Sequence, residues 1–374
     1  MNLPKLTADQ LREICIRIFT ATGTTKEEAE IVANNLVTAN LYGHDSHGVM
    51  RLRGYVRMTR KMLGKDDAME HLGSPGIRPG ALPRILNETS ATALLDGNWG
   101  FGQLIARKAM KMAMTKARAS GIGMVCARNC NHIGMVGEYT EIAARQDMIG
   151  IAICNADKEV APYGSIDPVY GTDPISICVP TNDKPVLLDM ATSAVPSGRI
   201  SDAITRNEKI PLGWLIDSEG HPTTNPNDLG SGGPRFSSDQ KPKPKGALLP
   251  FGGYKASGLT LCIELLAGLL SGAGCSQEIK GNGVLMIAID IGRFTPITEF
   301  KTRAESLIKI VKNGRKAQSV EQILVAGEPE YKNMEDRLRN GIEVPQATWM
   351  AIRQTAQELN VGFEDIIKND FQEK

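Results

Sequence analysis

The segment GHDSHGVMRLRGY, residues 43–55, carries side chains suited to acid–base chemistry. His44 and His47 are two of only five histidines in the chain, and Arg51 and Tyr55 follow them closely. An imidazole titrates near neutral pH, and a guanidinium binds a carboxylate through two parallel hydrogen bonds. The segment therefore predicts proton transfer on an organic acid, although a helix end with two solvated imidazoles would explain the same pattern.

Two later segments also contain residue types that could take part in chemistry. His132 lies in RNCNHIGMVGEYTEIAA, between a predicted strand and a predicted helix, where backbone amides favour anions. Asp189 lies in LLDMATSAVPSGRI, at a predicted strand end followed by small hydroxyl residues. That composition can wrap a phosphate or orient an imidazole. A histidine satisfied by its own surroundings remains the alternative for His132.

Composition excludes several classes of function. The chain has 374 residues, which predicts two lobes, and its 43 basic and 42 acidic residues leave no basic surface for nucleic acid or an anionic membrane. Seven scattered cysteines indicate reduced, buried thiols and a cytoplasmic protein. The N-terminus lacks a secretory pattern, and the longest apolar run, residues 259–274, contains Glu264 and is too short for a bilayer. That run predicts a buried helix.

Helix and strand patterns alternate along the chain. Capping boxes at Thr7/Gln10 and Thr25/Glu28 predict a helical hairpin whose second helix ends near Leu41. Helices are predicted over residues 103–119 and 137–146, and strands over 122–127, 149–154, 175–179, 186–189 and 284–289. Helices return after residue 302, one of them running from Pro345 to about residue 359. By itself this alternation predicts βαβ units and a parallel sheet.

The usual cofactor and metal motifs are incomplete. GxG occurs at residues 100, 121, 230, 272 and 281 but never extends to GxGxxG, and no GxxxxGK[ST] loop is present. His44, Asp45, His47, Cys130 and His132 are all residue types that bind zinc, yet no CxxC pair supplies the other half of a site. We therefore expect no metal. A zinc hydrolase using His44, His47 and His132, or a non-catalytic binding protein, remains as an alternative.

Taken together, the segments resemble the malate/L-lactate dehydrogenase family of nicotinamide-dependent oxidoreductases. The matching stretches are SHGVMRLRGY, NHIGMVGEY, LDMATS, GWLIDSEGHPTTNP, LLPFGGYKASGLTLCIELLAGLLSG and AGEPE, in the family's order from residue 46 to 330. The resemblance implies an α/β (α+β) fold whose nucleotide domain is not of the Rossmann type and has a largely antiparallel sheet. It also implies a helical domain built from both termini, which corrects the parallel sheet and explains the missing fingerprint.

The resemblance also implies roles for individual residues. His47 matches the proposed proton donor, His132 a histidine assigned as proton acceptor in some members, and Asp189 a catalytic or cofactor-contacting carboxylate. Ser46, Arg51 and Tyr55 match substrate-binding positions. The positions that match cofactor-binding segments are Asp189, Met190, Ala191, Thr192, Ser193, Lys255, Gly327 and Glu328. His44 inherits no role, and whether His47 or His132 leads stays open.

These matches predict reversible hydride transfer between NAD or NADP and a small 2-hydroxy acid resembling malate, lactate or sulfolactate, in a homodimer. The alternative within redox chemistry is reduction of a cyclic imine carboxylate. Residues 1–85 with 300–374 are predicted to form the helical substrate domain, and residues 86–299 the NAD(P)-binding domain. Residues 64–83 and 231–246 are predicted to line the outer pocket, and they match no specificity signature.

Overall fold

The computed structural model of the protein describes residues 4–65, 74–230 and 246–368. Residues 66–73 and 231–245, where part of the outer pocket is predicted, lie outside these ranges. The helices are α1 (Ala8–Thr20), α2 (Lys26–Leu41), α3 (Leu52–Met62), α4 (Gly102–Ser120), α5 (Gly137–Ala144), α6 (Ser197–Arg206), α7 (Tyr254–Ile263), α8 (Ile297–Lys312), α9 (Glu328–Asn340), α10 (Gln346–Glu358) and α11 (Glu364–Lys368).

The strands build a large sheet, a small three-stranded sheet and a terminal pair. They are β1 (Lys5–Leu6), β2 (Arg84–Glu88), β3 (Thr92–Asp96), β4 (Ile122–Cys130), β5 (Met148–Cys154), β6 (Ile175–Val179), β7 (Val186–Met190), β8 (Leu215–Ile216), β9 (Pro222–Thr223), β10 (Ala247–Leu248), β11 (Asn282–Asp290) and β12 (Ile342–Glu343). The large sheet has the order β2-β3-β4-β11-β5-β6-β7, and only its β3–β4 pair is parallel.

The parallel sheet predicted from the alternation of strands and helices is wrong, whereas the antiparallel sheet implied by the resemblance is confirmed. β4 and β5 do run in the same direction, but β11 lies between them and pairs antiparallel with both. A strand more than 120 residues later in the chain thus occupies the position that the second strand of a βαβ unit would take. Local sequence patterns carry no information about such a distant insertion.

The N-terminal hairpin forms as its capping boxes predict. The Thr7 hydroxyl accepts the Gln10 amide N–H while the Gln10 side chain accepts the Thr7 amide N–H, and Thr25 and Glu28 repeat the arrangement at α2. These bonds satisfy amides that a helix start leaves without partners. The apolar faces of α1 and α2 pack together with α3, α10 and Tyr331 in one core. This core holds the end of α2, where the first candidate segment begins.

The large sheet is covered on both faces. Alternate residues of its central strands face α4 and α5 in a second core, and the residues between them face α7 and the π-helical turn Glu264–Leu269 that continues it. A smaller core gathers α6 and the three-stranded sheet beside the carboxyl end of β7. The helices and strands predicted for the central region are present. Most of them are longer than predicted, by one to three residues.

The expectation that residues 259–274 form a buried helix is wrong for half of that surface. Ile263 and Ala267 pack on the sheet, but five leucines on the outer side are between 44% and 53% exposed: Leu261, Leu265, Leu266, Leu269 and Leu270. The run is apolar on both sides, but only its inner side contributes to the core of this chain. Exposed apolar strips of this kind are candidate interaction surfaces.

All seven cysteines are free thiols. Five are buried, Cys262 is exposed and Cys275 is partly exposed, which agrees with the predicted reduced state. Within the described ranges, no helix combines the length and the apolar character that crossing a membrane requires.

Candidate active site

The segment between α2 and α3 makes two short 3₁₀ turns, Asp45–His47 and Val49–Arg51. Asp45 anchors the first turn, because its carboxylate accepts hydrogen bonds from Asn40 Nδ2 (2.6 Å) and from both terminal nitrogens of Arg337 on α9 (2.6 and 2.9 Å). Asn40 Oδ1 in turn accepts the Val49 amide (2.8 Å). The turns are therefore tied to α2 on one side and to α9 on the other.

A cavity of about 240 Å³ lies where these turns meet the carboxyl ends of β4 and β7. His47 and Arg51 line it from the turns, His132 from the segment after β4, and Asp189, Met190 and Ala191 from the end of β7. The three segments singled out from the sequence are thus brought together in one place. Ser74, the first residue described after the gap at 66–73, also lines the cavity.

The two imidazoles of the site stack on each other. The ring centroids of His47 and His132 are 5.5 Å apart and their planes differ by 17°. Burial, reinforced by the neighbouring Arg51 cation, lowers the pKa of His132 to about 3, and burial together with His132, Arg51 and His44 holds the pKa of His47 well below its usual range. Both rings are therefore neutral at neutral pH, as a general base must be before it accepts a proton.

His132 is held from behind by Tyr55. The Tyr55 hydroxyl lies 2.6 Å from His132 Nδ1 and accepts a hydrogen bond from Gln103 Nε2 (3.0 Å), while the Gly134 amide lies 3.3 Å from the same Nδ1. Tyr55 is only 1% exposed, and burial raises its pKa to about 12. The sequence predicts that Tyr55 binds substrate. In the structure, Tyr55 lies behind His132 and does not line the cavity.

Ser46 stands beside the other imidazole. Its Oγ is 3.1 Å from His47 Nδ1, and the Arg51 Nε donates to the Ser46 carbonyl (2.7 Å). The backbone of Gly198, in the first turn of α6, approaches so closely that a Cβ there would overlap the Ser46 Cβ. The position of Ser46 therefore depends on glycine at 198.

Asp189 is partly buried at the end of β7, and within the described residues it forms no hydrogen bond with His47 or His132. Its Oδ2 accepts the Gly137 amide at the start of α5 (2.7 Å). Burial raises the pKa of Asp189 to about 6, while the nearby His44 and the Gly137 amide oppose that rise and Glu330 adds to it. The carboxyl group is thus coupled electrostatically to His44 rather than hydrogen-bonded to His47 or His132.

His44, to which the sequence analysis assigned no role, lies on the cavity wall. Its Nε2 is 3.6 Å from Glu330 Oε1 in the AGEPE segment. Burial alone would lower the pKa of His44, but Glu330, Asp189 and Asp45 outweigh it and raise that pKa. Its place in the same short segment as His47 was the only signal in the sequence. Gln103, one of several polar residues in an Ala/Met-rich helix, gave no signal at all.

The other predicted cofactor residues lie in different surroundings. Thr192 and Ser193 follow the cavity-lining strand end, and their hydroxyls donate to the carbonyls of Thr172 and Val195. Lys255 is exposed on the first turn of α7, away from the cavity lining.

Glu328 lines a second cavity of about 530 Å³ at the other end of β7, and Gly327 lies between the lining residues Ala326 and Glu328. There the Leu187 amide donates to the Ala326 carbonyl, and a Cβ on Gly327 would lie 3.0 Å from the Leu187 nitrogen. Glu328 forms an ion pair with Lys312.

The residues considered as zinc ligands do not converge. Within residues 4–65, 74–230 and 246–368, no three side chains of His, Cys, Asp or Glu are grouped as metal ligands. His44 faces Glu330, the rings of His47 and His132 stack, and the Cys130 thiol donates to the Asn131 carbonyl (3.3 Å).

Comparison with known proteins agrees with this geometry. Residues 6–353 match the family model described as malate/L-lactate dehydrogenase. A malate dehydrogenase of Pyrococcus abyssi is 38% identical over 96% of this chain and 96% of its own length. The structure of a sulfolactate dehydrogenase from Methanocaldococcus jannaschii superimposes with a TM-score of 0.84 at 34% identity, covering 98% of this chain and 100% of the other.

A more distant relative bears on the choice between hydroxy acids and imines. A Δ¹-pyrroline-2-carboxylate/Δ¹-piperideine-2-carboxylate reductase of Pseudomonas syringae pv. tomato is 28% identical over 93% of this chain and 95% of its own length. The resemblance carried by the sequence motifs is thereby confirmed over nearly the whole chain, and the protein belongs to the malate/L-lactate dehydrogenase family.

Proposed function

We propose that the protein catalyses reversible hydride transfer between NAD or NADP and a small 2-hydroxy acid. The observation that carries this proposal is the juxtaposition of Arg51 with two neutral, stacked imidazoles on one cavity wall. The guanidinium binds the substrate carboxylate, which places the carbinol carbon beside His47 and His132. Holding the substrate in one orientation supplies a large part of the rate.

The imidazoles act on the hydroxyl group. One of them takes the hydroxyl proton during oxidation and returns it during reduction, and the other donates a hydrogen bond to the same oxygen. Burial, with a smaller contribution from the Arg51 cation, lowers the pKa of both rings, so neither is protonated before the substrate arrives. The imidazoles lie in a partly enclosed cavity, where polar contacts are stronger than in bulk water.

The cavity fits the nicotinamide end of the cofactor. Met190 and Pro174 line the same cavity as the imidazoles and offer apolar surface to a nicotinamide ring. Met190 and Ala191 of the family's cofactor segment would hold this end, and Asp189 would support it from behind. When bound, the nicotinamide accepts or supplies the hydrogen that the carbinol carbon exchanges.

The second cavity is proposed to take the far end of the cofactor. Gly327 lies against Leu187, three residues before Met190 on the same strand, and Glu328 lines the cavity beside it. β7 would thus run alongside the bound cofactor, with one cavity at each end. No contact of the described structure favours NAD over NADP.

Lys280 on the cavity rim favours a substrate with a second negative group. Malate and sulfolactate carry such a group and lactate does not, and the two more similar of the proteins compared are a malate and a sulfolactate dehydrogenase, whereas the imine carboxylate reductase is less similar. A small dianionic 2-hydroxy acid is therefore the proposed substrate. The cyclic imine alternative would use the same Arg51 anchor and the same cavity, with nitrogen receiving the proton.

We further propose that a second copy of this chain covers the exposed leucine strip of α7 and the following turn. Five leucines about half exposed on one side of a helix favour a permanent apolar interface. The chain divides, in this proposal, into a helical substrate domain from both termini and a cofactor domain between them. Because the predicted boundaries 85/86 and 299/300 fall inside β2 and α8, we place them just before these elements.

The proposal is tested with a panel of 2-keto acids and cyclic imines, each assayed with NADH and NADPH by loss of absorbance at 340 nm. We expect the fastest turnover with a dianionic keto acid. His47→Ala should lower kcat by about two to four orders of magnitude. The matched control is His221→Ala, since His221 is exposed and does not line the cavity. Turnover of cyclic imines alone, or His47→Ala activity within threefold of the parent, contradicts the proposal.

A further inference from the structure

Gln103 is a buried amide that none of the roles above uses. It lies in the first turn of α4 and is 1% exposed. Its Nε2 donates to the Tyr55 hydroxyl, which lies against His132 Nδ1, so a chain of three side chains runs from the core to the cavity.

The direction of the hydrogen bonds in this chain follows from the number of hydrogens. The Tyr55 hydroxyl has one hydrogen. Since Gln103 donates to the Tyr55 oxygen, that hydrogen is free to point at His132 Nδ1. The Gly134 amide, which can only donate, also faces Nδ1 at 3.3 Å. Two donors converge on this nitrogen, so it carries no proton of its own.

The second nitrogen of His132 then carries the ring hydrogen. A neutral imidazole has one N–H, and with Nδ1 accepting, it must be on Nε2. His132 Nε2 makes no hydrogen bond within the described residues and is not among the fully buried polar atoms, while the ring lines the cavity. The N–H therefore faces the space proposed for the substrate.

We propose that Gln103 and Tyr55 are positioning residues that hold His132 as the Nε2–H tautomer, which makes His132 a hydrogen-bond donor to the substrate oxygen and leaves proton exchange to His47. This inference rests on the proposed dehydrogenase function and assigns the two imidazoles within it. A ring whose cavity-facing nitrogen already carries hydrogen cannot accept the hydroxyl proton there.

His47 is free of this constraint. Its Nδ1 faces the Ser46 hydroxyl, which can either donate or accept, so His47 Nε2 can be bare before the reaction and protonated after it. In oxidation, the hydroxyl O–H bond breaks and its proton goes to His47 Nε2. The carbinol C–H bond breaks and its electron pair leaves with the hydrogen to the oxidised nicotinamide. The new carbonyl oxygen accepts the His132 N–H.

The first test reads the tautomer in the free protein. The chain is labelled with ¹⁵N-histidine, and the signals of His132 are assigned by their loss in His132→Gln among only five histidines. At pH 7.5 we expect a bare Nδ1 and a protonated Nε2. A protonated Nδ1 in the unmodified protein overturns the proposal without requiring any variant to fold or turn over.

The second test reverses the hydrogen-bond chain. In Gln103→Glu, a carboxylate of nearly the same shape accepts the Tyr55 hydrogen, so Tyr55 can only accept from His132, and we expect the ring hydrogen to move to Nδ1. Gln103→Met, which offers neither donor nor acceptor, is the matched control and should keep the hydrogen on Nε2 through Gly134. An unchanged tautomer in Gln103→Glu contradicts the role of Gln103.

The kinetic arm separates the two histidines. A glutamine at 132 still offers an N–H, so His132→Gln should retain kcat within about tenfold, whereas His132→Ala should lose about two to three orders of magnitude. His47→Gln should lose at least as much as His132→Ala and remove the ionisation of the base from the kcat profile. Loss of that ionisation in His132→Gln instead would overturn the assignment. Absence of all turnover would refute the proposed function but leave the tautomer result intact.

Discussion

Replacing His132 by glutamine should flatten the dependence of stability on pH. In the folded protein, burial and the Arg51 cation lower the pKa of His132 to about 3, and an unfolded chain restores a value near 6.5. A histidine with a depressed pKa in the fold stabilises the folded state at pH values above its unfolded pKa. That contribution is lost progressively as pH falls from about 6.5 towards about 3.

The size of the effect follows from the difference between the two pKa values. Each pH unit within this window costs about 1.4 kcal/mol, because the unfolded state binds one more proton than the folded state. Between pH 7 and pH 5 the His132 contribution therefore falls by about 2 kcal/mol. His47, whose pKa is also lowered, further reduces the stability as the pH falls, whereas Asp189, whose pKa is raised, increases it. Both residues are present in the parent and in the variant, so their effects are common to the two proteins.

The measurement is urea unfolding followed by circular dichroism at pH 5, 6 and 7. We expect the parent to lose about 2 kcal/mol more than His132→Gln between pH 7 and pH 5, with equal m values in both proteins. His221→Gln, which removes an exposed imidazole, should follow the parent. Parallel pH profiles for the parent and His132→Gln would refute the claim that His132 is held neutral by its surroundings.

Three further changes probe the walls of the site. Gly198→Ala should displace Ser46 and lower kcat by about tenfold with an unchanged far-ultraviolet spectrum, and full activity would show that Ser46 needs no such close approach. Lys280→Gln should raise KM for malate about tenfold, equivalent to about 1.4 kcal/mol, and leave KM for lactate unchanged; an equal change for both substrates would exclude a second anion site there. Arg337→Met should cost about 1–2 kcal/mol and lower Tm by a few degrees, since Asp45 loses two charge-assisted bonds, and an unchanged Tm would contradict this anchor.

The local elements of the fold could be predicted because each has a local cause. The capping boxes of α1 and α2 and the apolar spacing that follows them depend on residues within one or two turns. The pairing of β4 and β5 with β11 depends on a strand that lies more than 120 residues away. Only the resemblance of several motifs to a known family predicted the largely antiparallel sheet that contains this pairing, because a family resemblance implies the topology of the whole fold.

Some residues of the candidate site could likewise be predicted from the sequence, and others could not. His47, Arg51, His132 and Asp189 could be selected because their side chains are chemically unusual and lie in motifs with a known order. Gln103 could not be selected, since a glutamine in a helix is common. Its hydrogen bond to Tyr55 forms only because α4 packs beside Tyr55 in the folded chain.

The position of a residue in the sequence therefore does not predict its electrostatic environment. His44 and His47 share one short segment, yet the structure gives them opposite electrostatic environments. Glu330, Asp189 and Asp45 raise the pKa of His44, whereas burial beside Arg51 and His132 lowers that of His47. The three carboxylates come from α9, β7 and the turn itself, so the difference is created by tertiary packing. An imidazole with a raised pKa at 44 and one with a lowered pKa at 47 can then coexist three residues apart, the first near Asp189 and the second beside the proposed substrate.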